Sequence, residues 1–595
     1  MKFVVAAFFS LLLAQTPPPA APAILSGRVV DSLSGQPLAD AAIELVRVAT
    51  TAPASAGGRS TPAPPPQRTR TSDDGRFELT NIPPGDYRLY GTTDNGYVPS
   101  ENGQRTPTGV GTAVTLASGQ NVSNITLRLT PTATVSGRVT DGDGDPSVFT
   151  SMLAFRIVYS TGGARKIEIV QSVLTDDHGE YRLYWLAPGK YYVSALPIET
   201  RSYGLPLSFA SRFGGATYWA TPMLGYRALD NGDLVEETWA PVYYPGTTDI
   251  LAAKPIQLHA GEQFHTDFNI ANSPTRTLLL QGDITDPAGQ ALGNATLTLT
   301  PQKPEGHSVV LPQAMSNDKG KFLMHGVTPG SYFLFVVGGR DSFPTGGLPP
   351  GANVPLSMNA STAFIPLEVS KSGVDSMNIA TVPAIDIPLH LEFQIRTAGT
   401  ISPRIRLVRD PDIAGAPDVS AGQRVSAQGI LVTGVGAGNY RIDVSGLPKN
   451  AYVKSMRSGA LDVLKDGLHI NGESPQEISI VLADDGGTLD GSGLDDRKQP
   501  VAGAVVVLMP NDPALRPHRI DLFKSTTCDA AGRFHFDGIA PGDYKVFAWD
   551  DIRSGDWFDP GLMRAFEYRG VPILIGSTES KMIEVPVNAS EDVRP

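Results

Sequence analysis

Four stretches of this sequence carry residue types and spacings that could do chemistry. His259-Ala260-Gly261-Glu262 has the H-x-x-E spacing that can bring an imidazole and a carboxylate to one zinc ion. Asp141-Gly142-Asp143-Gly144-Asp145 offers oxygen ligands at alternate positions, as a calcium loop does. Trp549-Asp550-Asp551-Ile552-Arg553-Ser554-Gly555-Asp556-Trp557-Phe558-Asp559 sets indoles beside carboxylates, a composition suited to a glycan or to Ca²⁺. The segment 199–249 gathers Tyr203, Phe209, Phe213, Tyr218, Trp219, Tyr226, Trp239, Tyr243 and Tyr244. Tyr and Trp pair an apolar face with a polar tip, which suits them to stacking on sugar rings.

Each of these has a plainer reading, which for Trp549–Asp559 is a packed strand end followed by a helix cap. In the calcium-like loop Pro146 replaces the sharp-turn glycine and Met152 stands where a bidentate Glu belongs, so the stretch reads as a β-turn. The H-x-x-E sequence falls where an earlier segment has Ala117-Ser118-Gly119-Gln120, so it too is expected to be a turn. A zinc site needs a third ligand and a catalytic domain to present it, and none is found. The nine His are scattered, and none sits in a nucleophile constellation. No glycine-rich phosphate loop leads from a strand into a helix. No catalytic residue, metal site or cofactor is therefore expected. The aromatics of 199–249 either pack that segment onto the body of the protein or form a binding surface, with Trp219 and Trp239 the best exposed candidates. Tyr218, Trp219, Trp239, Tyr243, Tyr244, Trp549 and Trp557 are the candidate ligand-binding residues.

The elements that must position these groups are set by an internal repeat. Asp73-Asp74-Gly75-Arg76-Phe77-Glu78-Leu79 reads as a turn followed by a strand with one buried face. Pro84-Gly85-Asp86-Tyr87 makes a second turn and starts a second strand. The same pattern returns with first Gly, second Gly and Tyr at 75/85/87, 179/189/191, 320/330/332 and 532/542/544. A degenerate copy has Gln428 in the first slot, followed by Gly438 and Tyr440. The copies lie 104, 141, 108 and 104 residues apart, a period suited to β-sandwich domains and too long for a solenoid repeat. Matching openings precede the better copies, such as Ser26-Gly27-Arg28-Val29 and Ser136-Gly137-Arg138-Val139.

The pattern G-R-V-x-D, P-L-A-D-A-x-I, then D-x-G-R-F-x-L-x-x-I-x-P-G-D-Y-x-L resembles the carboxypeptidase regulatory-like domain. The resemblance covers most of residues 22–595 and is weakest in the fourth copy. It implies a transthyretin-like, seven-stranded sandwich, related in shape to carbohydrate-binding and Cna-B-type modules, and it brings no catalytic residues. Some Cna-B-type modules carry a Lys–Asn crosslink from the first strand. That slot here holds Arg28, Arg138, Asp283 and Leu489, so no such crosslink is expected.

The expected fold is all-β: five tandem Ig-like/transthyretin-like β-sandwich domains at 24–131, 132–272, 275–381, 383–483 and 486–590. The second carries the long aromatic-rich insertion 199–249, and the fourth is degenerate. Val114–Leu116 with Ile125–Leu127, and Ile256–Leu258 with Phe268–Ile270, read as closing hairpins. Asp559 and Pro560 suit the N-cap and first turn of a short helix. Residues 1–20 read as a secretory signal and the start of a Pro-rich linker: Lys2 is followed by the apolar run Phe3–Ala14, which is too short to span a bilayer. The mature chain is expected to lack a transmembrane segment and to be secreted, periplasmic or at the surface of a bacterium. Cys528 is the only cysteine, which excludes an intramolecular disulfide. The net charge of −12, without a basic stripe, argues against nucleic acid.

The function expected is a non-enzymatic scaffold, adhesive or recognition array. Carbohydrate binding through aromatic loops is one alternative. Service as an accessory to an outer-membrane transporter, implied by the company this module keeps in other proteins, is another. A polysaccharide or a cell-envelope protein is the expected partner.

Overall fold

In the computed structural model, the described residues are all except 1–20, 49–64, 95, 105, 108, 110, 162, 198–223, 229–233, 271–273, 303–310, 339–359, 372–373, 375, 395–402, 413–421, 427–428 and 590–595. The regular secondary structure of the described chain is nearly all β-strand. Its first layer of order is the opening strand of each copy. Ala23–Asp31 pairs antiparallel with Arg76–Ile82 on one side and parallel with Asn121–Pro131 on the other. The same arrangement recurs around Ala133–Thr140, Leu278–Thr285, Ile385–Gln394 and Gly487–Leu494. A second sheet, in the first copy Gln67–Arg70, Ala42–Arg47, Gly85–Thr92 and Ser100–Glu101, packs across from it. In the last copy the two layers join edge to edge through Gly542–Trp549 and Ser580–Asn588.

The alternation read from sequence decides what lies between the layers. Phe77, Leu79, Tyr87 and Leu89 are buried with Leu25, Val29, Ile43 and Leu127 in one core. Equivalent cores form around Tyr191, Tyr332, Tyr440 and Tyr544. Each of these tyrosines donates its hydroxyl to the carbonyl four residues upstream: Tyr87 to Pro83, Tyr191 to Ala187, Tyr332 to Thr328, Tyr440 to Gly436 and Tyr544 to Ala540, at 2.7–2.9 Å. The hydroxyl thereby satisfies a carbonyl of the turn that delivers the ring to the core. The preceding turn is held by a side chain three residues before its glycine. Asp176, Asn317 and Asp529 each accept two backbone N–H groups across it. The glycines 75, 179, 320 and 532 have φ of 73–74°. A Cβ would lie 2.5–2.7 Å from a neighbouring segment at each, so the residue type is fixed by both conformation and space.

The expected closing hairpins do not form. Val114–Leu116 pairs with Gly85–Tyr87 in one layer, whereas Asn121–Pro131 joins the other. Ile256–Leu258 and Gln263–His265 divide in the same way. The turn between them crosses the edge of the sandwich, and alternation alone cannot tell an arch from a hairpin because both bury every second residue. His259–Glu262 is that turn: Glu262 accepts the His259 N–H at 2.7 Å, as Gln120 accepts that of Ala117.

The described part of 199–249 also rejoins the body. Val242–Tyr243 pairs with Ser194–Ala195 as a strand of the second copy. Leu224–Ala228 and Leu234–Trp239 form a hairpin that adds Pro274–Arg276 as a third strand. The helix foreseen at Asp559 runs Pro560–Phe566, with the Asp559 carboxylate accepting from Gly561 N–H at 2.7 Å. No described helix is long and apolar enough to cross a membrane.

A candidate binding cleft at the first joint

In every copy the strand after the first turn carries one bulged residue, six positions beyond the turn slot: Asn81, Trp185, Gly326, Gly434 and Gly538. All five have positive φ, 59–74°. In the third and fifth copies this bulge serves contact with the preceding copy. Gly326 N–H donates to the Glu236 carboxylate at 3.0 Å, next to a hydrogen bond between Glu236 and His325. A Cβ on Gly538 would stand 2.5 Å from the Lys449 carbonyl and 2.9 Å from that of Ala451. Close approach of backbone is what glycine permits there.

The second copy departs from this rule. Trp185 holds φ of 60° with its side chain 57% exposed. Tyr184 beside it is 41% exposed, and the two rings meet edge to face at 5.0 Å and 82°. Strand alternation places Arg182 and Tyr184 on the outer face, because Tyr181 and Leu183 are buried in the core. On the neighbouring strands Thr134 lies opposite Gln263, and Ser136 lies between Arg182 and His265. Gly96 of the first copy closes one end, its carbonyl accepting from both the N–H and the hydroxyl of Thr132. Between these walls lies a largely polar cleft of about 340 Å³ that also touches Glu262.

The residues expected to bind ligand are placed otherwise or fall outside the description. Tyr218 and Trp219 lie outside the described residues. Trp239 is half-buried on the strand that pairs with Pro274–Arg276. Tyr243 is 2% exposed and packs against Phe155; burial pushes its phenol pKa upward, with Asp249 adding to the effect. Tyr244 packs edge to face on Phe264. Trp549 is fully buried, stacked on Phe547 and edge-on to Phe566, and Trp557 lies in the same cluster. Trp549 ends the strand Gly542–Trp549 and Trp557 lies in the 3-10 turn Asp556–Phe558; the Asp559-capped helix packs Met563 and Phe566 against both, so neither indole offers a face to a sugar. Of the carboxylates around them, Asp556 pairs with Arg553 at 2.9 Å and Asp559 caps the helix start. Asp141 accepts the N–H groups of Asp143 and Asp145, which makes its loop a turn. Among the described residues, one group of side chains could gather on a metal: Asp176, Asp177 and His178, exposed at a repeat turn where Asp176 already caps two amides.

Sequence reading overlooked Tyr184 and Trp185 because they stand inside a strand already explained by the repeat. The signal was available in the alignment of copies, where one slot reads Asn, Trp, Gly, Gly, Gly.

A second cleft, about 360 Å³ and mostly apolar, lies where the hairpin loop at Thr161 and Gly163 meets Phe523, Trp557, Phe558 and Met563. Here Arg553 donates to the Ile157 carbonyl at 3.1 Å, tying the second copy to the fifth. Lys166 on the same hairpin pairs with Asp412 of the fourth copy.

Residues 24–130 match the carboxypeptidase regulatory-like domain family. No curated protein matches the sequence. Among solved structures, the chain is similar to the minor pilin GBS52 of Streptococcus agalactiae at 11% identity, covering 43% of this chain and 98% of the pilin, with a TM-score of 0.21. It is similar to the shaft pilin SpaA of Lactobacillus rhamnosus GG at 12% identity, covering 43% and 98%, with a TM-score of 0.20. The Bacillus anthracis TIE protein aligns over 96% of this chain and 73% of its own, at 10% identity and a TM-score of 0.14.

Proposed function

We propose that this chain is an exported, non-enzymatic structural and recognition array. Its five sandwiches act as domains bound into one fixed cluster. The observation that carries this reading is the set of joints between copies, each made by specific side chains rather than by free linker. The Thr132 hydroxyl donates to the Gly96 carbonyl between the first and second. Glu236 engages His325 and Gly326 between the second and third. Ala437 N–H donates to Thr362 and Arg409 lies 4.7 Å over the Phe335 ring between the third and fourth. Arg441 meets His518 at 2.8 Å between the fourth and fifth. Arg553 and Lys166 then return the fifth and fourth to the second. A polar contact repeated at every joint has to recover the entropy of ordering the pieces it links, and what it supplies is constant geometry. Constant geometry serves a scaffold, and it also serves loops that must be presented together. Export is supported by Lys2 and the apolar run Phe3–Ala14.

Small-angle X-ray scattering tests the cluster. A single compact particle, much shorter than five sandwiches in line, is expected. A profile of independently moving beads overturns the reading. Fusion of residues 1–20 to a reporter active only outside the cytoplasm tests export, and an inactive fusion overturns that part.

A further inference from the structure

We propose that the first joint is a saccharide-binding cleft, with the Trp185 indole as stacking surface and Tyr184, Arg182, Thr134, Gln263 and Glu262 around it. The proposal takes from the preceding section only that the chain recognises something outside the cytoplasm.

A bulky residue at positive φ is an outlier. Such conformations persist where the surroundings over-determine them, and they concentrate at functional sites. At 57% exposure Trp185 is not retained for burial. Local preference does not retain it either, since three of the other four copies use Gly in this slot and the fourth uses Asn. The later copies use the bulge to let backbone or a carboxylate approach. An indole in the same slot leaves an open cleft where the third and fifth copies make a closed joint.

The chemistry of the cleft then selects the ligand. A pyranose ring has an apolar C–H face and a rim of hydroxyls. The indole and the phenol of Tyr184 stand at 82° to one another and offer a floor and a side wall to such a ring. The guanidinium of Arg182, the amide of Gln263, the carboxylate of Glu262 and the hydroxyl of Thr134 supply donors and acceptors for the rim. The volume of about 340 Å³ falls at the lower end of ligand pockets, and suits a short segment of a glycan chain. The mix of Glu262 with Arg182, within a chain of net charge −12, does not suit a polyphosphate backbone.

The test uses the purified protein and a panel of cello-, malto-, xylo- and chito-oligosaccharides, read by intrinsic Trp fluorescence and by retention on the matching insoluble polymers. At least one class is expected to bind with a fluorescence change. Trp185→Gly should weaken that binding at least tenfold, and its melting temperature should hold or rise, because Gly is the residue three other copies carry there. Arg182→Ala should weaken binding with no change in melting temperature. Absence of binding across the panel overturns the proposal, as does wild-type affinity in Trp185→Gly. A change of oligomeric state in that variant without loss of glycan binding would assign the face to a second copy of this chain, and would also overturn it. The scattering profile of Trp185→Gly should match wild type, so a failure of the saccharide reading stays distinct from a failure of the cluster.

Discussion

The Glu236 carboxylate and the His325 imidazole lie 2.5 Å apart across the second joint, although 89 residues separate them along the chain. The same carboxylate accepts from Gly326 N–H and from the Thr277 hydroxyl at 2.7 Å. Burial works to raise its pKa, but the hydrogen bonds from Gly326, Thr277 and His325 outweigh burial and hold it below the usual carboxylate value. A carboxyl whose pKa is depressed on folding adds stability that is present above its unfolded pKa. That stability is lost as pH falls through the folded value. Glu236→Ala should therefore cost about 1–3 kcal/mol near neutral pH. The deficit relative to wild type should shrink in acid, below the ordinary Glu range. Calorimetric melting of both proteins at neutral and acid pH checks this.

The repeated tyrosine makes a separable prediction. Tyr544 is buried, and its hydroxyl reaches the Ala540 carbonyl at 2.7 Å. Tyr544→Phe keeps the ring and removes the bond, for an expected cost of about 1 kcal/mol. Tyr544→Ala also opens a cavity in the core around Leu489, Val546 and Ile575, and should cost about 3–5 kcal/mol. Urea unfolding of the two variants separates the hydroxyl from the ring. Equal costs would mean that the turn, rather than the packing, dominates.

Much of this architecture was legible in the sequence because it is periodic. The turn glycines at 75, 179, 320 and 532, the tyrosines twelve residues later and the helix start at Asp559 each follow from local chemistry that recurs or stands alone. The sheet pairing was less legible. Ile256–Leu258 and Phe268–Asn269 have the alternation of a hairpin yet part to opposite layers. The candidate site was hidden for another reason. Aromatic density drew attention to 199–249, where Tyr243 turns out to fill a strand, whereas Trp185 shows itself only as the misfit in a column of small residues. The joints were not readable at all. Contacts such as Lys166 with Asp412 link single side chains 246 residues apart and leave no period in the sequence.

Cys528 gives a chemical probe of the fifth core. It is 1% exposed, and burial pushes its thiol up to about 11, with a hydrogen bond from the Gly493 amide opposing and Asp529 adding to the rise. The thiolate is the reactive form. The native protein should resist thiol reagents near neutral pH, and one thiol per chain should react once urea unfolds this core. Prompt labelling of the folded protein would place Cys528 at the surface and contradict the packing of Val501, Ala504 and Phe534 around it.

The return contacts of the second copy decide whether the array is closed or merely sequential. Arg553 donates to the Ile157 carbonyl and pairs with Asp556, so its guanidinium bridges the fifth copy to the long hairpin of the second. Lys166 on that hairpin pairs with Asp412, both side chains about one-quarter exposed. Each contact alone is modest: a hydrogen bond to a charged donor contributes about 1.5–3 kcal/mol, and a partly exposed ion pair about 1 kcal/mol or less. Together they close the path that the successive joints begin. Arg553→Ala with Lys166→Ala should therefore leave the melting of each sandwich nearly unchanged. The radius of gyration should rise, and the hairpin loop at Thr161–Gly163 should become open to protease. If the double variant scatters like wild type and resists cleavage there, the packing of that loop around the cleft it shares with Phe558 and Pro560 is sufficient to hold the cluster, and the polar bridge only sets its register.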